Sequence, residues 1–127
     1  MNPEDEKCVM VIDESMPAGL IANAAAIMGI TLGKEKPEIV GANVVDGSGR
    51  LHLGIIEFPV PVLKGSGEEI RSIRDRLYLP EFRELTTVDF SRLAQGCKNY
   101  EEFTEKMARM DERELEYLGI AICGPKK

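Results

Sequence analysis

Residues 7–33 read KCVMVIDESMPAGLIANAAAIMGITLG, and this stretch decides the fold. Cys8, Val9, Met10, Val11 and Ile12 are apolar without a break, the pattern of a strand covered on both faces. Such a strand belongs in the middle of a sheet. Asp13, Glu14 and Ser15 end the run, and Pro17 suits a first helical turn, where a missing N–H costs nothing. A helix from there to about Thr31 follows. At about 100° per residue, Leu20, Ile21, Ala24, Ile27 and Met28 share one apolar face. Ala22, Ala25 and Ala26 keep the remaining surface slim, so the helix can lie close to a sheet. Gly29 loosens it, and Gly33 is expected to cap it in the left-handed conformation.

The 127 residues are enough for one domain, 1–127, with a core that needs neither disulfides nor a structural metal. No apolar run approaches the roughly 20 residues that span a bilayer, so no membrane partner is expected. The start, MNPEDEK, is acidic where a signal peptide would be basic and then apolar, which places the chain in the cytoplasm. A net charge of −6 argues against a broad nucleic-acid surface, because such binding rests on neutralising phosphates. Cys8, Cys97 and Cys123 are odd in number and irregularly spaced, which fits neither a disulfide framework nor a paired zinc motif. Cys8 and Cys123 sit in apolar runs and read as buried, while Cys97 has the polar surroundings a reactive thiol would need.

Beyond the first helix, residues 38–45 (EIVGANVV) and 51–58 flank the turn Asp46-Gly47-Ser48-Gly49 and read as a hairpin or extended flap. Pro59 and Pro61 confine the next strand to an edge or to a start after Pro61. Ser66 and Glu69 form a capping-box pattern ahead of a stripe of Ile70, Ile73 and Leu77, an amphipathic helix ending before Pro80 with Arg71, Arg74, Asp75 and Arg76 on its surface. Residues 85–90 (LTTVDF) read as a strand, and Asn99 with Glu102 caps a second amphipathic helix. Residues 117–123 (YLGIAIC) form a last apolar strand. Strands alternating with helices predict a three-layer α/β/α sandwich around a mixed, mostly parallel sheet.

Two carboxylates, Asp13 and Asp89, stand at the ends of strand-like runs, where open α/β sheets gather ligand sites. They suit a cation or an acid and base pair, or simply turn and helix caps. Asn23 lies near the apolar helix face, placed either for a ligand or for a backbone hydrogen bond. His52 is the single histidine, so a histidine metal cluster is excluded and a structural role is the simpler reading. Lys64-Gly65-Ser66-Gly67 joins a strand to a helix start that would favour anions, but it lacks the spacing of a nucleotide-binding loop. No cofactor or metal is expected.

The segments NAAAIMGITLG, DGSG followed by RLHLGI, PVPVLKGS, VDFSRLAQ and YLGIAICGP together resemble an uncharacterised bacterial family, domain of unknown function two thousand. That family in turn resembles the peptidyl-tRNA hydrolase II fold, a small mixed sheet with helices on both faces that is often dimeric. The hydrolase motif M-x-x-G-K-I-A-A-Q-x-x-H-A aligns with Met16, Gly19, Ile21 and Ala22. The resemblance implies that Leu20 replaces the hydrolase lysine and Ile27 its histidine. Its D-A-G-R-T-Q motif aligns with residues 89–94, keeping Asp89 and Arg92 but placing Leu93 where the threonine stands. The final T-V-L-x-I-G-P motif aligns with residues 119–125, with Gly119 in place of its threonine. Losing a cation and two hydroxyls removes groups that stabilise charge in a transition state.

The expectation is therefore a non-hydrolytic domain that binds a small molecule or a partner near Asp13, Asn23 and Asp89. Two alternatives stand beside it. One is a remodelled hydrolase of an ester or amide, with Asp89 positioning water and Lys64 or Arg92 supplying positive charge. The other is a homodimerisation module that uses the apolar arm 51–58.

Overall fold

The computed structural model describes residues 6–125. Its main sheet has four strands in the order β4-β1-β6-β5: β1 (Glu6–Asp13), β4 (Val62–Gly65), β5 (Thr86–Ser91) and β6 (Tyr117–Pro125). The unbroken apolar run of β1 does lie centrally, between β4 and β6. β1 pairs in parallel with β4 and antiparallel with β6, which pairs antiparallel with β5. The sheet is mixed, but a mostly parallel pairing is not what forms. β1, β4 and β5 do point the same way; β6 points against them and separates β1 from β5. The reason lies in the connection before β6. α3 (Arg92–Gly96) and α4 (Tyr100–Arg109) return the chain to the end it left, where the Arg92 N–H donates to Glu116 O at 2.8 Å. A connection that does not traverse the sheet makes the next strand antiparallel.

α1 (Ala18–Glu35) packs against Cys8, Met10, Ile12, Phe90, Leu118 and Ala121, burying Ala24, Met28 and Leu32. The buried stripe is rotated from the face the sequence suggested, leaving Leu20 and Ile27 each 39% exposed. Gly33 does not cap α1 either: the helix runs through it to Glu35, because Leu32 is held in the core and the stop comes from Pro37. α2 (Gly67–Leu77) crosses from β4 at one edge to β5 at the other, over the side chains of Val11, Ile120 and Ile122. Ile70 is its fully buried residue. The capping box forms, with Ser66 Oγ accepting from Glu69 N–H and Glu69 Oε1 from Ser66 N–H.

The insertion between α1 and β4 is the expected hairpin, shorter than its apolar arms: β2 (Val44–Val45) pairs with β3 (Leu51–His52). Gly49 takes φ 84° in its turn, a conformation suited to glycine. Its base is closed by hydrogen bonds from Gly41 N–H to Ile55 O and from Glu57 N–H to Ile39 O. Gly54 is jammed against that base; a Cβ there would collide with the Gly41 carbonyl and sit 2.8 Å from Ala42 O. Since backbone cannot move aside as a side chain can, Gly54→Ala should open the flap alone. Hydrogen exchange at the Gly41 and Glu57 amides is expected to speed up at least about tenfold, with β1 and β6 unaffected. Unchanged protection at both amides would show that the base has slack.

Candidate functional site

Three strands end at the same side of the sheet, and a cleft of about 330 Å³ opens there. β1 delivers Asp13, the start of α2 delivers Gly67, Glu68 and Arg71, the residue after β5 is Arg92, and residues 115–118 close the side. Ligand sites of open α/β sheets form at such carboxyl ends. Asp13 Oδ1 accepts from the Ser15 N–H at 2.8 Å and from its hydroxyl at 2.7 Å, a turn of the kind that also explains Asp13 structurally. Asp13 Oδ2 makes no hydrogen bond among the described residues and faces the first turn of α2, 3.7 Å from where a Gly67 Cβ would stand. Arg92 is exposed and only loosely paired, its Nε 3.5 Å from Glu116 Oε2.

Arg71 is fixed. It donates to Glu112 Oε2 at 2.6 Å, to Glu112 O at 3.0 Å and to Leu115 O at 2.6 Å, and its guanidinium lies 4.7 Å from the centre of the Tyr117 ring. Burial weakens its hold on its proton, but the Glu112 carboxylate outweighs this and the pKa rises. The Tyr117 hydroxyl donates to the same Glu112 oxygen at 2.6 Å. Burial, then that hydrogen bond, pushes its pKa far upward, so it stays a neutral donor. Arg71, Glu112 and Tyr117 thus form a strut that ties the approach to β6 onto α2. Sequence reading placed Arg71 on the helix surface; its partners lie 41 and 44 residues further on and carry no local signal.

The other expected site residues are not in the cleft. Asp89 lies on the α2 face of β5, where Arg74 Nε donates to its Oδ2 at 2.9 Å and the Arg74 guanidinium stacks 4.0 Å from the Tyr78 ring centre. Asn23 is exposed on α1, across the sheet from α2. Lys64 is exposed on the edge strand β4, opposite Ile12 in register. Asp89, Lys64 and Arg92 therefore do not converge, as a remodelled hydrolase would require. Leu20 is on α1 and Asp89 faces α2, so the aligned hydrolase positions also sit on opposite faces.

His52 belongs to the hairpin, its Nε2 2.8 Å from Asp46 Oδ2, which helps hold the Asp46 carboxyl below its usual range. A wider hollow of about 840 Å³ runs along that hairpin, lined by residues 41–44, 52–55 and 57, of which Asn43, His52 and Glu57 are polar. Its converging polar groups are fewer than in the cleft. Cys97 is half-buried and its thiol donates to Leu93 O at 3.2 Å. Among the described residues no three His, Cys, Asp or Glu side chains are gathered as a metal site, and no helix is long and apolar enough to cross a membrane.

The architecture defines a mixed α/β protein with helices packed on a four-stranded mixed sheet and a charged cleft at the strand ends. Within that class the chain belongs to the family described as "Protein of unknown function (DUF2000)", which it matches over residues 6–127. The fold is similar to the solved structure of Atu0240, a protein of unknown function from Agrobacterium tumefaciens strain C58. The two superpose with a TM-score of 0.85 at 17% sequence identity, over 96% of this chain and 88% of that one. No curated protein matches the chain.

Proposed function

We propose that this chain is a non-hydrolytic, small-molecule-binding domain with the three-layer architecture of the peptidyl-tRNA hydrolase II fold, and that its ligand enters the cleft between Asp13 and Arg92. The observation that carries this reading is the pairing, in one cleft, of a carboxylate oxygen without a hydrogen-bond partner among the described residues and a guanidinium with only a loose one. Asp13, Glu68 and Glu116 set against Arg71 and Arg92 make a mixed-charge lining, which suits a small polar molecule carrying both signs, such as an amino acid or aminoacyl group. The loss of the hydrolase cation and histidine at Leu20 and Ile27 supports binding without hydrolysis. Asn23, Lys64 and Asp89 drop out of the proposed site because they lie elsewhere. The cytoplasm remains the proposed location.

A thermal-shift screen against amino acids, aminoacyl esters, nucleotides and short RNA tests the cleft. A ligand at 100 times its Kd adds about 2.7 kcal/mol to the folded state. The shift is expected to vanish in Arg92→Ala and in Asp13→Asn; a shift that survives both would place the site elsewhere. A second reading, a homodimer closed over the flap, is favoured by Leu53 and Ile55, each 79% exposed on the hairpin arm. Sedimentation showing a monomer at all concentrations would remove it.

A further inference from the structure

Two cysteines that are far apart in sequence face each other across the sheet. Cys8 of β1 is the register partner of Cys123 of β6, and both are free and fully buried. Which kind of antiparallel pair they form follows from the hydrogen bonding of β1. The Met10 N–H donates to Pro61 O and the Glu14 N–H to Gly65 O, both toward β4. Successive residues of a strand direct their polar groups to opposite sides, so the even-numbered residues of β1 bond to β4 and the odd-numbered ones to β6. Cys8 and Cys123 are therefore a non-hydrogen-bonded pair, the closer of the two kinds, with Cα atoms about 4.5 Å apart. Disulfides span about 4.4–6.8 Å between Cα atoms. The Cys123 thiol lies near enough to the Cys8 thiol to disfavour its ionisation.

We propose that Cys8 and Cys123 are a latent redox site that closes into a cross-strand disulfide, joining β1 to β6, when the sheet end opens to a small oxidised thiol such as glutathione disulfide. The step balances by two exchanges. A thiolate exposed by opening attacks one glutathione sulfur, forming a mixed disulfide and expelling a glutathione thiolate. The second cysteine, deprotonated, then attacks the protein-bound sulfur and expels the other. Two protein thiols are oxidised, one glutathione disulfide is reduced, and the two protons end on the two glutathiones. Opening is required because closed β1 hides both sulfurs. Burial, and then the neighbouring Cys123 thiol, pushes the Cys8 thiol up to about 12, so the closed state holds almost no thiolate.

The full chain, reduced and unfolded in urea, is refolded with a mixture of reduced and oxidised glutathione, alkylated and mapped by mass spectrometry. The expected product, about 2 Da lighter than the reduced protein before alkylation, carries alkyl only on Cys97 and yields one linked peptide pair containing Cys8 and Cys123. Because the link closes nearly the whole chain into a loop, its Tm should rise by about 10 °C over the reduced protein. Cys97→Ser should retain the link, and Cys123→Ala should lose it. Native protein in the same buffer should form it at least about tenfold more slowly than refolding protein. Full alkylation of all three cysteines, a link through Cys97, or equal rates from native and unfolded protein would overturn the proposal.

Discussion

Lys36→Met is expected to lower the unfolding free energy by about 3 kcal/mol, the low end of what breaking a buried ion pair costs. Lys36, just beyond α1, places its Nζ 3.0 Å from Glu6 Oε1 at the start of β1, with the two side chains only 14% and 10% exposed. Methionine keeps the aliphatic stem but strands the Glu6 carboxylate in a poorly hydrated place. Adding Glu6→Gln should recover much of the loss, since the double variant buries no unpaired charge. Urea unfolding of the two single variants and the double one measures this. A loss below about 1 kcal/mol for Lys36→Met would mean that Glu6 finds water at no cost. The pair also has a pH signature. Desolvation pulls the Lys36 pKa down, but the hydrogen bond and charge of Glu6 pull harder, and the net shift is upward. A raised lysine pKa stabilises fully below the ordinary lysine range, and that contribution is lost as pH rises through the folded value.

Ile70→Ala should cost about 2–4 kcal/mol, the usual toll for truncating a fully buried isoleucine. Ile70 fills the space among Tyr117, Ile120 and Val11 that fastens α2 to the sheet. Ile73 and Leu77 line the same cluster but remain partly exposed, so Ile73→Ala should cost clearly less. Because α2 also carries Arg71 and the start of the cleft, binding of the proposed ligand should weaken in Ile70→Ala well before global unfolding. Equal losses from Ile70→Ala and Ile73→Ala would mean that α2 is not anchored through one residue.

Local chemistry was legible where it is written in neighbouring residues. The run from Cys8 to Ile12 announced a central strand, Ser66 and Glu69 announced a capped helix, and Pro61 marked where β4 begins. Strand direction was not legible, because alternating helices and strands look alike whether a connection crosses the sheet, as α2 does, or doubles back, as α3 and α4 do. The rotation of α1 was missed for a related reason. With alanine and isoleucine spread around the helix, the buried stripe is chosen by the sheet beneath it, not by the periodicity of α1. Of the cleft, Asp13 and Arg92 could be named in advance, but their meeting, and the engagement of Asp89 by Arg74, depend on how α2 crosses.

The central position of β6 bears on the order in which the protein is made. β1 is synthesised early and β5 well after it, yet the two do not pair; each is completed only by residues 117–125. Until those residues leave the ribosome, the nascent chain can assemble the β1 and β4 pair with α1 but must hold two apolar strand edges unmatched. Closure then happens in one late step that joins segments distant in sequence, the kind of pairing that folds slowly and benefits from protection against aggregation.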